Sequence, residues 1–285
     1  MLNLFSFLFF FFIFSGFSVA AEFPGLEAGG SSNINPNFVP EKIKIVTWNI
    51  QYGNELKRIL HELQNNPNLK NADIITLQEV CRAEGTKHQP KIIAKALNMH
   101  YVYARSMFTD EIGNGYFEKG QVTLSKYPIL NARILNLPKI RQTRIALVSD
   151  VKVKEKTIQL FNIHLENRAP IIFLSSWGRK RQMKRVLEEA SKDAGLRPQI
   201  ILGDFNTIDV GGCSESVEGC ISILKRNGFA EGLENNCTST HCLLPPFICA
   251  KLDWVFLKGL RVINGGVEKA CKASDHRPVW VDIEY

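Results

Sequence analysis

The chain has 285 residues, of which 45% are hydrophobic and 22% charged. That balance excludes a disordered, collagen-like or low-complexity protein, and the length allows a core that needs neither disulfides nor metal. Lys and Arg number 35 against 28 Asp and Glu, a net charge of +7 that favours polyanions or anionic membranes as partners and excludes no fold.

Residues 2–19 (LNLFSFLFFFFIFSGFSV) carry no charge and run into Ala20 and Ala21, with Ser18-Val19-Ala20 fitting a cleavage site. Residues 1–20 therefore read as a secretory signal peptide. The n-region has no Lys or Arg, and the run is just long enough to span a bilayer, so an uncleaved anchor is the alternative. Residues 21–41 are rich in Gly, Pro, Asn and Ser without periodicity, the composition of a linker or disordered arm. One domain is expected over 42–285.

Within it, apolar runs predict strands at Lys42–Ile50, Ile74–Val80, Val122–Ser125, Ile145–Val153, Thr157–His164, Gln199–Asp204, Leu252–Leu257 and Pro278–Glu284. Helical spacing occurs at Leu56, Ile59, Leu60 and Leu63, at Ile92, Ile93, Ala96 and Leu97, and over about Ser176–Ala194 and Ser216–Arg226. Short connections such as 153–157 mix hairpins with crossovers, which points to mixed sheets covered by helices. Seven cysteines are present, five of them between 213 and 249. In an exported protein a Cys213–Cys220 bridge and one within Cys237, Cys242, Cys249 and Cys271 are expected, with Cys81 also in the count. No paired C-x2-C spacing supports zinc. Asn236-Cys237-Thr238 is a glycosylation sequon.

The informative feature is the polar residue at the end of each apolar strand. KIKIVTWNI ends near Asn49, DIITLQEV carries Glu79, TIQLFNIH ends in His164, and PQIILGDFN carries Asp204 and Asn206. KLDWVFL holds Asp253, and SDHRPVWVDIE opens with Asp275 and His276. Burying any one of these without a partner costs several kcal/mol. If they converge on one rim, they form a set of carboxylate, amide and imidazole groups suited to a hard divalent cation such as Mg²⁺.

The ordered set TWNI, LQEV, NIHLEN, GDFN, LDWVF and SDHRPV resembles the endonuclease/exonuclease/phosphatase superfamily, the DNase I-like proteins, over about residues 43–285. The resemblance implies a four-layer α/β sandwich, two mixed β-sheets packed face to face with helices outside. It also implies Mg²⁺- or Mn²⁺-dependent phosphoester hydrolysis. By the same resemblance Glu79 is the principal metal ligand, with Asn49 beside it in the metal and phosphate shell and Asp275 as a further metal-side carboxylate. Asp204 orients or deprotonates the attacking water, and Asn206 places the phosphate. His276 contacts the scissile phosphate, Asp253 orients His276, and His164 matches a second histidine of the DNase I-like and sphingomyelinase-like branches.

Four weaker features complete the reading. Glu118 is a candidate partner for His164, with an ordinary loop glutamate as the alternative. Arg144, at a strand start, can reach a phosphate or be a plain surface arginine. The run Arg179–Arg185 holds five cations, either a solvated helix face or a phosphate-steering surface. The apolar stretches Pro170–Leu174 and Leu243–Ile248 are core if buried and bilayer contacts if exposed. The expectation is a secreted or periplasmic, monomeric, metal-dependent phosphodiesterase acting on nucleic acid. A sphingomyelinase or phospholipase C-like enzyme on choline or anionic phospholipid comes second. An inositol-polyphosphate 5-phosphatase ranks lower, because AKLDWVFLKG lacks that group's signature. A non-catalytic module of the same fold is last.

Overall fold

The computed structural model describes residues 26–30, 41–83, 87–109, 117–167, 172–207, 219–234, 236, 238–244 and 248–284. The first part of the chain forms β1 (Leu26–Gly30), β2 (Lys42–Asn49), a 3-10 turn (Gln51–Gly53), α1 (Leu56–Asn65), β3 (Ile74–Ala83), β4 (Lys87–His88), α2 (Gln89–Leu97), β5 (His100–Thr109) and β6 (Phe117–Ser125). Next come β7 (Ile129–Asn136), β8 (Ile145–Val153), β9 (Lys156–His164), α3 (Ile172–Ser191), β10 (Gln199–Asp204) and α4 (Cys220–Arg226). The last are β11 (Ala230–Glu231), β12 (His241–Leu244), β13 (Ile248–Ala250), β14 (Asp253–Lys258), β15 (Arg261–Val267) and β16 (Val279–Glu284).

An eight-stranded sheet runs β1-β5-β6-β3-β2-β16-β15, with β4 paired to β3, and a six-stranded sheet runs β11-β14-β10-β9-β8-β7. The pairs β2–β3 and β9–β10 are parallel and their other neighbours antiparallel, so both sheets are mixed. Side chains alternate between faces along a strand. In β2, Ile43 and Ile45 join β10's Ile200 and Leu202 and β9's Ile158 and Leu160 in a core between the sheets. Val46 and Trp48 point the other way, onto Ile59 and Leu63 of α1 and Ile93 and Ala94 of α2. The opposite face of the second sheet packs Phe161, Ile163 and Ile201 on Met183 and Val186 of α3 and Ile221 and Leu224 of α4. The layers are thus helix, sheet, sheet, helix, the expected architecture. Because both faces of the central strands are buried, they read as continuous apolar runs.

Towards one end of the sandwich the inter-sheet layer turns polar. Gln78 Nε2 donates to Asn162 Oδ1 across the sheets at 2.8 Å and to Thr47 Oγ1 at 3.1 Å, while Asn162 Nδ2 donates to Val122 O at 3.0 Å. These bonds satisfy groups whose burial would otherwise be costly. One step further along the same strands lies the rim.

The segment expected to be a linker or arm holds a strand. β1 adds to the edge of β5 in antiparallel register, from Leu26 opposite Ala104 to Gly30 opposite His100. Its Glu27 side chain accepts hydrogen bonds from Tyr101 and Arg82 and contacts His88. Edge pairing uses main-chain groups, which is why a glycine-rich stretch without periodicity can supply it. The flanking 21–25 and 31–40, like the expected signal peptide 1–20, lie outside the described residues. β5, β7 and β15 also went unpredicted: the aromatic run of β5 does not alternate, β7 is an edge strand, and β15 contains two glycines.

Candidate active site

Strand register alone brings three of the expected residues side by side. Asp204 at the end of β10 is the direct neighbour of His164 in parallel β9 and of Asp253 in antiparallel β14. Each continues the inter-sheet face of its strand: Ile200, Leu202, Asp204; Leu160, Asn162, His164; Leu257, Val255, Asp253. Asn49 is likewise two residues beyond Thr47 in β2, and its Nδ2 donates to Asp204 Oδ2 at 3.0 Å. The approach of β9 to β10 depends on Gly203. It sits at φ +131°, and a Cβ there would lie 2.1 Å from Ile163 O. Past the strand, the Asn206 N–H donates to Asp204 Oδ1 at 2.9 Å and its Nδ2 to Leu165 O at 3.1 Å.

His276 closes the group from the segment before β16. Its Nδ1 is 2.8 Å from Asp253 Oδ2 and its Nε2 3.9 Å from Asp204 Oδ2. Burial alone would lower its pKa, but the Asp253 and Asp204 charges outweigh that and raise it to about 10. His276 is therefore an imidazolium at neutral pH. Burial pushes the Asp204 carboxyl up to about 6, against the pull of the His276 charge. It is a carboxylate at pH 7, and more basic than an exposed one. His164 Nε2 lies 3.4 Å from Asp204 Oδ2 and 3.9 Å from Glu79 Oε1 and makes no hydrogen bond. Burial, then the Arg144 and Lys119 charges, hold its imidazole well below its usual value, so it is neutral.

Glu79 reaches the rim through a bulge. Ile75 and Leu77 face the helices, and Glu79 would follow them. The β3–β6 register slips between Gln78 and Val80, Glu79 adopts φ +58°, and Val80 takes the helix-side place instead. Glu79 Oε1 then accepts from Lys119 Nζ at 2.9 Å, and the ammonium lies over the Tyr52 ring, 4.4 Å from its centroid. Arg144, at the start of β8, is only 3% exposed. Its Nη2 donates to Asn167 Oδ1 at 2.9 Å, its Nε is unsatisfied, and no carboxylate among the described residues pairs with it. Burial depresses its guanidinium pKa, opposed by the charges of Asp204, Glu166 and Glu79. A buried, unpaired cation beside this cluster is a ready anion site.

The model of the Endonuclease/Exonuclease/phosphatase family matches residues 46–276, which include every residue of this rim. The chain belongs to that family. Members are phosphoric ester hydrolases, often metal-dependent. Solved structures share the fold at low identity. A family member from Beutenbergia cavernae DSM 12333 superposes with a TM-score of 0.67 at 19% identity, covering 85% of this chain and 71% of that one. The human Nocturnin catalytic domain with bound sulfate gives 0.65 at 16%, covering 90% and 97%. A mannosyl-6-phosphatase from Bacteroides thetaiotaomicron VPI-5482 gives 0.63 at 16%, covering 85% and 100%. No curated protein gives a significant match.

The family's divalent metal fits the donors at this rim. Among the described residues Glu79 Oε2 makes no hydrogen bond and Asn49 Oδ1 accepts only from the Gln51 N–H, and the Asp275 carboxylate is 40% exposed. Hard oxygens of this kind suit a hard cation. Asp204, Asp253 and His276 also lie close enough to share an ion. Asp253 is hydrogen-bonded to His276, however, and Asp204 lies 3.9 Å from the other ring nitrogen, so the oxygens of Glu79, Asn49 and Asp275 are the better donors.

Two residues of this rim had no place in the sequence reading. Lys119 is two steps from Gln121 on the inter-sheet face of β6, and counting by twos from Thr123 would have found it. His241 lies against His276 with ring centroids 4.6 Å apart. Glu118, in contrast, is not His164's partner. It faces away and pairs with Arg82 Nε at 2.7 Å and Arg105 Nη1 at 2.9 Å. Adjacent strand residues point to opposite faces, so Lys119 and Glu118 cannot both reach the rim. The basic run also divides. Arg179 is buried and donates to Glu166 O at 3.1 Å, Arg181 stacks on Trp177, and Arg185 pairs with Glu188 and Glu189. It is therefore neither a single solvated face nor a continuous phosphate surface. Cys242 and Cys249 form a disulfide across β12 and β13, while Cys81 and Cys271 are buried and unbridged. Cys213, Cys237 and the side chains of the two apolar stretches lie outside the described residues.

Proposed function

We propose that the protein is a secreted or periplasmic, divalent-metal-dependent phosphodiesterase that hydrolyses DNA or RNA by in-line attack of water. The observation that carries this reading is the row His164–Asp204–Asp253 across three strands, closed by the Asp253–His276 pair. Asp204 takes the proton of the attacking water, whose oxygen forms the new bond to phosphorus as the bond to the leaving oxygen breaks, and the leaving oxygen takes its proton from solvent. Asn206 and Asn49 keep that carboxylate in place. His276, charged and oriented by Asp253, donates to a phosphoryl oxygen, and Arg144 offers its unpaired guanidinium to the same anion. His164, neutral, supports the water side. Glu79, Asn49 and Asp275 would hold Mg²⁺ (or Mn²⁺), which when bound would supply positive charge against that developing on the phosphate in the transition state.

The net charge of +7 supports a polyanionic substrate. The Cys242–Cys249 disulfide supports an oxidising compartment, hence export through the 1–20 segment. A lipid phosphodiesterase is the second reading, favoured by Trp177, half-exposed near the start of α3.

Incubating the protein with plasmid DNA, RNA and sphingomyelin vesicles, each with Mg²⁺ or with EDTA, tests this. Plasmid or RNA cleavage that EDTA abolishes is expected. Phosphocholine release without cleavage would favour the lipid enzyme, and inertness on all three the non-catalytic module.

A further inference from the structure

Beside the Asp253–His276 pair lies a second imidazole. His241 stands on β12, where Cys242 is bridged to Cys249 of β13 and the main chain pairs with His276. The preceding Thr240 is tied into the same place. Its hydroxyl accepts from the Asp253 N–H at 3.0 Å and its carbonyl from the Arg277 N–H at 2.7 Å. His241 is thus held against the rim by a covalent clamp and by both segments that carry the buried pair.

Among the described residues its ring makes no hydrogen bond within ordinary distance, and its nearest charged neighbour is Asp275. His241 Nε2 is 3.6 Å from Asp275 Oδ2, too far for a hydrogen bond, and neither ring nitrogen bonds to any other described group. Two donors that each bind one cation at about 2.1 Å, at tetrahedral or octahedral angles, lie about 3.0–3.4 Å apart. The observed spacing is therefore almost that of two ligands of one ion. His276 is also near, with a ligand atom within 4.8 Å of those of His241 and Asp275. It is occupied with Asp253, whose charge and that of Asp204 offset its own.

Resting on the metal reading above, we infer that His241 is an imidazole ligand to the cation held by Asp275, so that the site favours a first-row transition-metal ion over Mg²⁺. Imidazole adds little to Mg²⁺, which prefers oxygen and water, and more to transition metals.

The test is Mn²⁺ binding by calorimetry and electron spin echo spectroscopy on the purified protein, compared with His241→Phe, which keeps the ring packing against His276 but has no ligand nitrogen. The expected result is a nitrogen-14 coupling to bound Mn²⁺ that disappears in His241→Phe. Mn²⁺ affinity should fall about 10-fold or more, with Mg²⁺ affinity nearly unchanged. His241→Ala should behave alike, which separates lost ligation from any effect of the new ring. Mn²⁺ binding whose nitrogen coupling and affinity survive both substitutions would overturn this inference and leave the proposed function standing. Binding of Mg²⁺ but not Mn²⁺ by the unsubstituted protein would overturn this inference alone, and binding of neither ion would overturn both.

Discussion

At the scale of single residues, the rim holds charges that a folding core would avoid. Asp204 is 1% exposed and surrounded by Asn49, His164, His276 and Asp253. Burying a carboxylate costs stability unless its partners compensate fully. Asp204→Asn keeps the shape and removes both the charge and the base. We expect it to lower the rate at saturating metal by at least ~10²-fold, the lower range for general-base help, while melting at the same temperature or higher. Full activity in that variant would remove Asp204 from the reaction. Gly203 is different, because its role is steric. Gly203→Ala places a Cβ against Ile163 O at a φ that L residues rarely adopt. It should cost about 1–3 kcal/mol or more, visible as a melting temperature lower by about 2–4 °C per kcal/mol. An unchanged melt would mean that β9 and β10 can separate freely at that point.

At the scale of elements, the strands that carry the rim residues were legible because each breaks its own apolar pattern at the end, as Asn49, His164 and Asp204 do. Lys119 was hidden because β6 read as a strand only from Val122, so the parity of Thr123 was not carried back through Gln121, and the neighbouring Glu118 looked more like chemistry. β1 was hidden because main-chain pairing leaves no periodic trace. Its attachment is predicted to depend on pH. Burial would raise the Glu27 carboxyl, yet hydrogen bonds from Tyr101, Arg82 and His88 outweigh burial and hold it below 4.5. A carboxyl with a lower pKa folded than unfolded stabilises above the unfolded value and loses that contribution as pH falls through the folded one. Glu189, with Lys192 and Arg133, and Asp193, with Arg197 and Gln159, share the same direction. Amide protection in β1 and β5, measured relative to intrinsic exchange at each pH, should therefore be high at neutral pH and fall below about pH 4.5, the unshifted carboxylate range. Glu27→Gln should raise exchange at neutral pH and flatten the acid dependence. Protection that is indifferent to pH in the unsubstituted protein would mean that Glu27 does not hold β1.

At the scale of the molecule, two sheets meet through an apolar core that becomes polar towards one end, through Thr47, Gln78 and Asn162, and then ionisable at the rim. That gradient was only half legible in the sequence. Six motifs in order marked the family, and their strand-end residues marked one rim. The bulge at Glu79 and the approach of the β12–β13 hairpin to His276 depend on tertiary packing and leave no local signal. What joins these levels is the claim that the Asp253–His276 pair and Asp204 act on one phosphate with a bound divalent ion. The most direct measurement is Mg²⁺-dependent cleavage of plasmid DNA by His276→Ala beside the unsubstituted protein, with circular dichroism melts of both. The account predicts matching folds, cleavage by the unsubstituted protein that EDTA abolishes, and a rate at least ~10²-fold lower in the variant. Equal rates in two folded proteins, or cleavage indifferent to EDTA, would contradict it.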